Sequence, residues 1–194
     1  MRKKDHIRLA LADKTTLTSL DAYAIDYNSV PRFGLDNLDT STTICNKKWQ
    51  FPFFINAITA GGEECNNINQ DFMEVSKACE IEFFPGSYSP ALKDKNDEAA
   101  YPKGYSMNLG LDKDPNLILD AIEKTKAQYI QLHTNPLQEI VMPEGDHNFE
   151  SWLSTLTEVS KKSPIPVILK ETGFGMNEET IKLAINLNLA AVDV

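Results

Sequence analysis

The sequence predicts an α/β protein and, within that class, a (β/α)8 barrel. Three observations lead there. Short, nearly continuous apolar runs alternate with segments of helical spacing along most of the 194 residues, which implies parallel strands covered on both faces by helices. Polar residues follow strand after strand, at Thr59, Ser87, Asn108, His133, Asn135, Lys170 and Glu171. In a barrel such ends converge on one mouth, whereas an open sheet strings them along a line. Finally, the first of these strands ends in Asn56-Ala-Ile-Thr-Ala-Gly-Gly62, without the G-x-G-x-x-G turn of a doubly wound dinucleotide fold.

The elements follow in order. Residues 1–13 form a charged, helix-prone arm. Residues 14–50 are mixed, with turn signals at Asn28, Pro31-Arg-Phe-Gly34 and Asn46. Residues 1–50 are therefore expected to cap a barrel whose strands lie in 51–194. Residues 53–58 give the first strand. The spacing of Ile68, Phe72, Val75 and Ala78 predicts a helix over 67–79 with those residues inward. Residues 81–84 form a second strand, ending at Pro85-Gly-Ser87, and 89–102 read as polar and irregular. A third strand is expected at 105–109. Asp114-Pro115 then opens a helix as cap and first residue, with Leu117, Ile118, Ala121 and Ile122 inward.

The fourth strand occupies 128–132. Residues 149–162 form a helix with Trp152, Leu153, Leu156 and Val159 on one side. Strand five is 166–169. Asn177, with Glu178 and Glu179 in the first turn, opens a helix over 177–187, and strand six is 189–194. A closed barrel has eight strands and typically about 250 residues. The expected fold is thus a TIM (β/α)8 barrel truncated after strand six of eight.

Bulk properties narrow the partners. The formal net charge is −9, which disfavours non-specific binding to nucleic acid or anionic membrane. Three widely spaced cysteines, Cys45, Cys65 and Cys79, with no Cys-x-x-Cys pair, suit a reducing cytoplasm. Arg2-Lys3-Lys4 resembles the start of a signal peptide, but charge at Asp13 interrupts the following apolar run too early. No apolar run reaches membrane-spanning length.

The densest chemistry is Gln131-Leu-His-Thr-Asn-Pro-Leu-Gln-Glu139, followed by Met142-Pro-Glu-Gly-Asp146. So many polar groups at one strand end point to a site for a charged substrate and a metal. Glu139, with Glu144 and Asp146 nearby, suits a hard divalent cation such as Mg²⁺, which takes one or two carboxylates plus phosphate oxygens. A solvated acidic loop is the competing reading. His133 is a candidate base or phosphate donor. Asn135 and Gln138 can both donate and accept without charge. Lys170, at the end of an apolar strand, can hold a phosphate, form a Schiff base or stabilise negative charge on a flavin ring. Thr59-Ala-Gly-Gly62 allows close backbone approach to a planar cofactor, or is a plain turn. Arg2-Lys3 with His6 suits a diphosphate.

Taken together, Arg2-Lys3-x-x-His6, Ile55-Asn-Ala-Ile-Thr-x-Gly-Gly62, Gly86-Ser87, Asn108-Leu-Gly110, the 133–139 and 142–146 blocks and Val167-Ile-Leu-Lys-Glu-x-Gly-Phe-Gly175 resemble, in the same order, type 2 isopentenyl-diphosphate Δ-isomerase. That family is flavin-dependent, and the resemblance runs from residue 2 to residue 194. It implies a TIM barrel, reduced FMN, Mg²⁺, NADPH as reductant, a homo-oligomer, and interconversion of isopentenyl and dimethylallyl diphosphate. By the same resemblance Ala57, Ile58 and Thr59 line the flavin, with Ser87 and Asn108 near it and Lys170 against its N1 side. Arg2 and Lys3 hold the diphosphate, assisted by His6 and His133. Asn135 and Gln138 flank the alkene, and Glu139 binds Mg²⁺.

The sequence departs from the family in three places. Tyr88-Ser89 stands where the family has Gln and a basic residue, and the stretch between Tyr23 and Asp39 is shorter than usual. The Ser-Gly-x-Gly-Gly-Thr turn that follows strand six in the family, and the later loops for the FMN phosphate, have no counterpart here. The 194-residue chain is therefore expected neither to hold FMN firmly nor to isomerise by itself. Two alternatives stand beside this one: another FMN-dependent barrel oxidoreductase, which leaves Gln138-Glu139 unexplained, and a non-catalytic fragment.

Overall fold

The computed structural model describes residues 2–14, 24, 26–99, 101–143 and 145–194, apart from the side chains of residues 2–6, 96 and 99. Helix α1 (Arg2–Ala12) leads, as the charged arm predicts. A 3₁₀ turn at Leu35–Asn37 and an antiparallel hairpin, β1 (Thr42–Ile44) and β2 (Lys47–Trp49), follow. The hairpin was not expected, although its turn was flagged. Cys45 and Asn46 both take positive φ, 50° and 62°, the pair of left-handed residues a two-residue hairpin turn needs.

Six parallel strands then carry the fold. They are β3 (Phe54–Ile55), β4 (Glu82–Phe83), β5 (Met107–Gly110), β6 (Ile130–Thr134), β7 (Val167–Glu171) and β8 (Ala191–Asp193), and each overlaps one of the six strands predicted, with ends shifted by one to three residues. β3 pairs with β4, and β5-β6-β7-β8 form one parallel ladder in sequence order. The connecting helices are α2 (Glu63–Cys79), α3 (Ser89–Lys93), α4 (Lys95–Ala99), α5 (Pro115–Thr125), α6 (Pro136–Val141), α7 (Glu150–Lys162) and α8 (Glu178–Asn186).

Three expectations need correction. Residues 89–102 are not irregular: Pro90 at the start of α3 and the acidic first turn of α4 give two short helices. Helix α2 begins at Glu63, four residues early, and its buried face is Cys65, Asn69 and Ser76 rather than Val75 and Ala78. The polar inward residues disguised that face. Asn69 donates to the Thr59 carbonyl (2.8 Å) and accepts from the Gly86 N–H (3.3 Å), so it ties together the loops after β3 and β4. Leu117 and Leu153, read as inward, are 38% and 55% exposed, and the turn-to-turn stripes instead bury Thr125 on α5 and Thr155 on α7.

Alternation along the strands sorts side chains onto two faces. Met107, Leu109, Ile130, Leu132, Val167 and Leu169 form one core with Ile118 and Ile122 of α5 and Leu156 and Val159 of α7. The opposite face is concave. Its lower layer is apolar: Phe84, Tyr129 and Ile168, with Phe54 and Ala191 beside them, pack around Trp49 of the hairpin. The Trp49 indole donates to the Tyr129 hydroxyl at 3.0 Å, and the Lys47 ammonium lies 4.4 Å from the Tyr129 ring centroid. The hairpin thus plugs the N-terminal end of the sheet.

Above that layer the face is polar, and its bonds reveal the curvature. Asn56, just after β3, donates to Asp193 of β8 at 2.9 Å. Six strands laid flat at about 4.8 Å spacing would hold their outer members roughly 24 Å apart. The parallel strands therefore curl until first and last touch through side chains, as barrel walls do. Among the described residues no helix is long and apolar enough to cross a membrane.

Candidate active site

The C-terminal ends of the strands share one rim. Its floor is a hydrogen-bonded network across the concave face. Gln131 of β6 is fully buried, and its amide donates to Asp193 (2.8 Å) and Asn56 (3.2 Å). Lys170 of β7, 7% exposed, donates to Asn56 (2.6 Å) and Asp193 (2.8 Å). Asn108 of β5 donates to the Gln131 carbonyl oxygen (3.0 Å) and meets Nδ1 of His133 at 2.6 Å. Each of these three buried side chains thus has a partner, which offsets the cost of removing it from water.

The motif reading gave no role to Asn56, Gln131 or Asp193. The signal was present. A Gln between Ile130 and Leu132, and an Asp between Val192 and Val194, are costly in buried strands unless something pairs with them. Their partners, however, lie 23 to 137 residues away in sequence.

Thr59 is buried, with its hydroxyl 3.1 Å from the Cys65 sulfur, while Ala57 is half-buried and Ile58 exposed. Gly86 explains the close approach of this turn to the end of β4. A Cβ there would lie 1.8 Å from the Thr59 carbonyl oxygen. Next to it, the Ser87 hydroxyl donates to Ser89 and accepts its N–H. Tyr88, one of the departures from the resembled family, is 1% exposed and stacks edge-on against Tyr101. It serves the core and does not face the rim.

The 133–146 block folds as a strand end, a short helix and a return loop. Asn135 caps α6 by accepting the Gln138 N–H at 2.8 Å, and its amide nitrogen donates to the Thr172 hydroxyl at 3.1 Å. Pro136 occupies the first helical position, so the crowded strand end is a helix start. Gln138 and Glu139 sit half-buried on its first turn. One Glu139 oxygen accepts the Asp146 N–H at 2.8 Å.

Asp146 lies beside Glu139, and both of its carboxylate oxygens already accept hydrogen bonds. Its oxygens accept the Asn148 N–H and the Trp152 indole. Among the described residues no group of three His, Cys, Asp or Glu gathers as a metal site. Glu144 lies outside the described residues, as do the side chains of Arg2, Lys3 and His6.

Glu171 does not neutralise Lys170. Its carboxylate accepts the N–H groups of Gly173, Phe174 and Gly175 at 2.7, 2.5 and 2.9 Å. Burial pushes this carboxyl up, but those donors together with the Thr172 N–H outweigh it and hold the group below the ordinary glutamate range. The counter-charge of Lys170 is Asp193.

Comparisons with known proteins bear on what this rim does. No family model matches the chain. Curated proteins named isopentenyl-diphosphate delta-isomerase match all of it, from Streptococcus gordonii at 36% identity and from Streptococcus mutans and Streptococcus pyogenes at 37%. The chain spans 60% of the length of these relatives. The resemblance carried by the motifs is therefore real and partial.

Among solved structures, a mandelate oxidase variant with 2-hydroxy-phenylacetamide aligns with TM-score 0.56 at 13% identity, over 84% of this chain and 53% of that one. Another mandelate oxidase variant, with a C4a-OH-FMN adduct, gives TM-score 0.53 at 13% identity, over 84% and 54%. Similarity at that identity speaks to the fold alone.

Proposed function

From the similarity of the whole chain to 60% of the length of curated isopentenyl-diphosphate delta-isomerases we infer that the chain represents part of that family's sequence, and we propose that it carries the substrate and metal side of an FMN-dependent, type 2 isomerase site. The reaction is the interconversion of isopentenyl and dimethylallyl diphosphate. The single observation that carries this reading is the 36–37% identity along the whole chain, which includes the 133–139 block. In this reading residues 51–194 provide six of the eight strands of a (β/α) barrel and residues 1–50 its cap. Reduced FMN, Mg²⁺, NADPH as reductant, homo-oligomeric assembly and a cytoplasmic setting belong to the same proposal.

The residues present suit both groups. Lys170 has three N–H donors, two of them engaged by Asn56 and Asp193. The third is available to a flavin ring edge. The small Ala57, the exposed Ile58 and the close approach of Thr59 to Gly86 leave an apolar ledge beside it. At the other side of the rim, the Glu139 oxygen not bonded to Asp146 is available to Mg²⁺, with water and diphosphate oxygens completing the shell.

Moving a double bond requires a proton added at one carbon and removed at another, with water kept away from cationic character at the alkene. Reduced FMN supplies the proton donor and an electron-rich face. The chain's own residues position and shield. Arg2, Lys3 and His6 hold the diphosphate, and His133 reaches it from the strand end. Gln138 flanks the alkene without adding charge. Asn135, with both ends of its amide engaged, acts by fixing Gln138 and Glu139 on α6.

The test is calorimetric titration of isopentenyl diphosphate into the 194-residue chain with and without Mg²⁺. Binding that requires Mg²⁺ and disappears in Glu139→Gln is expected. An absence of binding at millimolar substrate with Mg²⁺ present refutes the substrate-and-metal assignment.

A further inference from the structure

We propose that Asp193 is a positioning residue that sets the tautomer of His133 through a two-amide relay, Gln131 and Asn108. The argument starts from chemistry that admits one direction. An ionised carboxylate only accepts hydrogen bonds. One Asp193 oxygen receives three donors, from Asn56 at 2.9 Å, Gln131 at 2.8 Å and Lys170 at 2.8 Å. Gln131 must therefore turn its NH₂ toward Asp193 and its carbonyl oxygen away. Reversing it would press that oxygen against Asp193 and against Oδ1 of Asn56, which lies 3.2 Å from the Gln131 nitrogen.

The direction then propagates. The Gln131 oxygen accepts from Asn108 Nδ2 at 3.0 Å, so Asn108 presents its Oδ1 to the next group. That group is Nδ1 of His133, 2.6 Å away. An amide oxygen cannot donate, so Nδ1 must carry the hydrogen. In neutral His133 the lone pair is therefore on Nε2. Gln131 is fully buried and Asn108 is 3% exposed, so bulk water has little access to reorient either amide. The same carboxylate also holds Lys170, so a single residue orients the cationic and the imidazole ends of the rim.

This relay stands on hydrogen-bond geometry. Only its use, presenting Nε2 toward a diphosphate substrate, rests on the isomerase reading. The test therefore involves no substrate or flavin. The chain is labelled with ¹⁵N-histidine, and long-range ¹H–¹⁵N correlations are recorded about two units above the ordinary imidazole pKa of about 6.5. Three histidines are present, and His133→Gln identifies the signals of interest.

The expected wild-type pattern is a protonated, pyrrole-type Nδ1 and a pyridine-type Nε2. Asp193→Asn frees the direction of the relay, and Gln131→Leu cuts it while leaving the Lys170–Asp193 pair. Each is expected to convert the single pattern into a tautomer mixture or its reverse. A pyridine-type Nδ1 in the wild-type chain overturns the proposal, and so does an unchanged pattern in both folded variants. If neither variant folds, the wild-type spectrum alone decides. Failure of isopentenyl diphosphate to bind would refute the functional reading and leave this result untouched.

Discussion

Replacing Gly86 by alanine tests the contact that brings the turn after β3 against the end of β4. A Cβ at this position would sit 1.8 Å from the Thr59 carbonyl oxygen, 2.3 Å from its carbonyl carbon and 3.0 Å from the Ala60 Cβ. Two of those atoms are backbone, so no rotamer change relieves the clash. The two loops must separate by more than an ångström. Separation also strains Asn69, which donates to the Thr59 oxygen and accepts from the Gly86 N–H. Overpacking costs about 1–3 kcal/mol, and weakening a buried hydrogen bond adds about 1 kcal/mol. Gly86→Ala should therefore destabilise the chain by roughly 3 kcal/mol. With a urea slope of about 2 kcal/mol/M, the midpoint falls by about 1.5 M.

Gly34→Ala is the control. Its nearest neighbour would be the Asn37 amide at 3.9 Å, so its stability should stay within about 0.5 kcal/mol of wild type. A Gly86→Ala chain as stable as the control would mean that the turn and the strand end do not touch. Thr59 and Ser87, both assigned to the flavin, could then not share a wall.

Lys170→Met should destabilise by about 3 kcal/mol, the low end for a broken buried ion pair, because Asn56 and Gln131 still donate to Asp193; urea denaturation measures it, and a change under 1 kcal/mol speaks against the pair. Glu171 has a folded pKa below its ordinary value of 4.5. Its contribution to stability is therefore complete above that value and declines as pH falls below it. Glu171→Gln should flatten the acid limb of a stability–pH curve, and a limb that keeps its full slope counts against the loop geometry.

Local patterns made much of this molecule legible. Six apolar runs became six parallel strands because buried strands need little beyond hydrophobicity and bounding turns. Asp114-Pro115 and Asn177 opened helices as their side chains dictate: Asp114 accepts the Asn116 and Leu117 N–H groups and Asn177 that of Thr180. The hairpin escaped notice because its strands are three residues each, too short for a period to register. Helix α2 began earlier than its apolar spacing suggested because Cys65, Asn69 and Ser76 do the facing inward.

The sequence by itself determined the order of strands and helices, the polar rim and the resemblance carried by the 133–146 block, because each depends on residues near one another in the chain. Tertiary structure alone decided that the sheet curls until Asn56 meets Asp193, that Lys170 is paired with Asp193 and not with its neighbour Glu171, and that the Asn135 amide meets the Thr172 hydroxyl. The physical reason is reach. A hydrophobic period is written over about ten residues, whereas a buried polar group must find its partner wherever the curvature of the sheet delivers one, here 23 residues along the chain for Lys170 and 137 for Asn56.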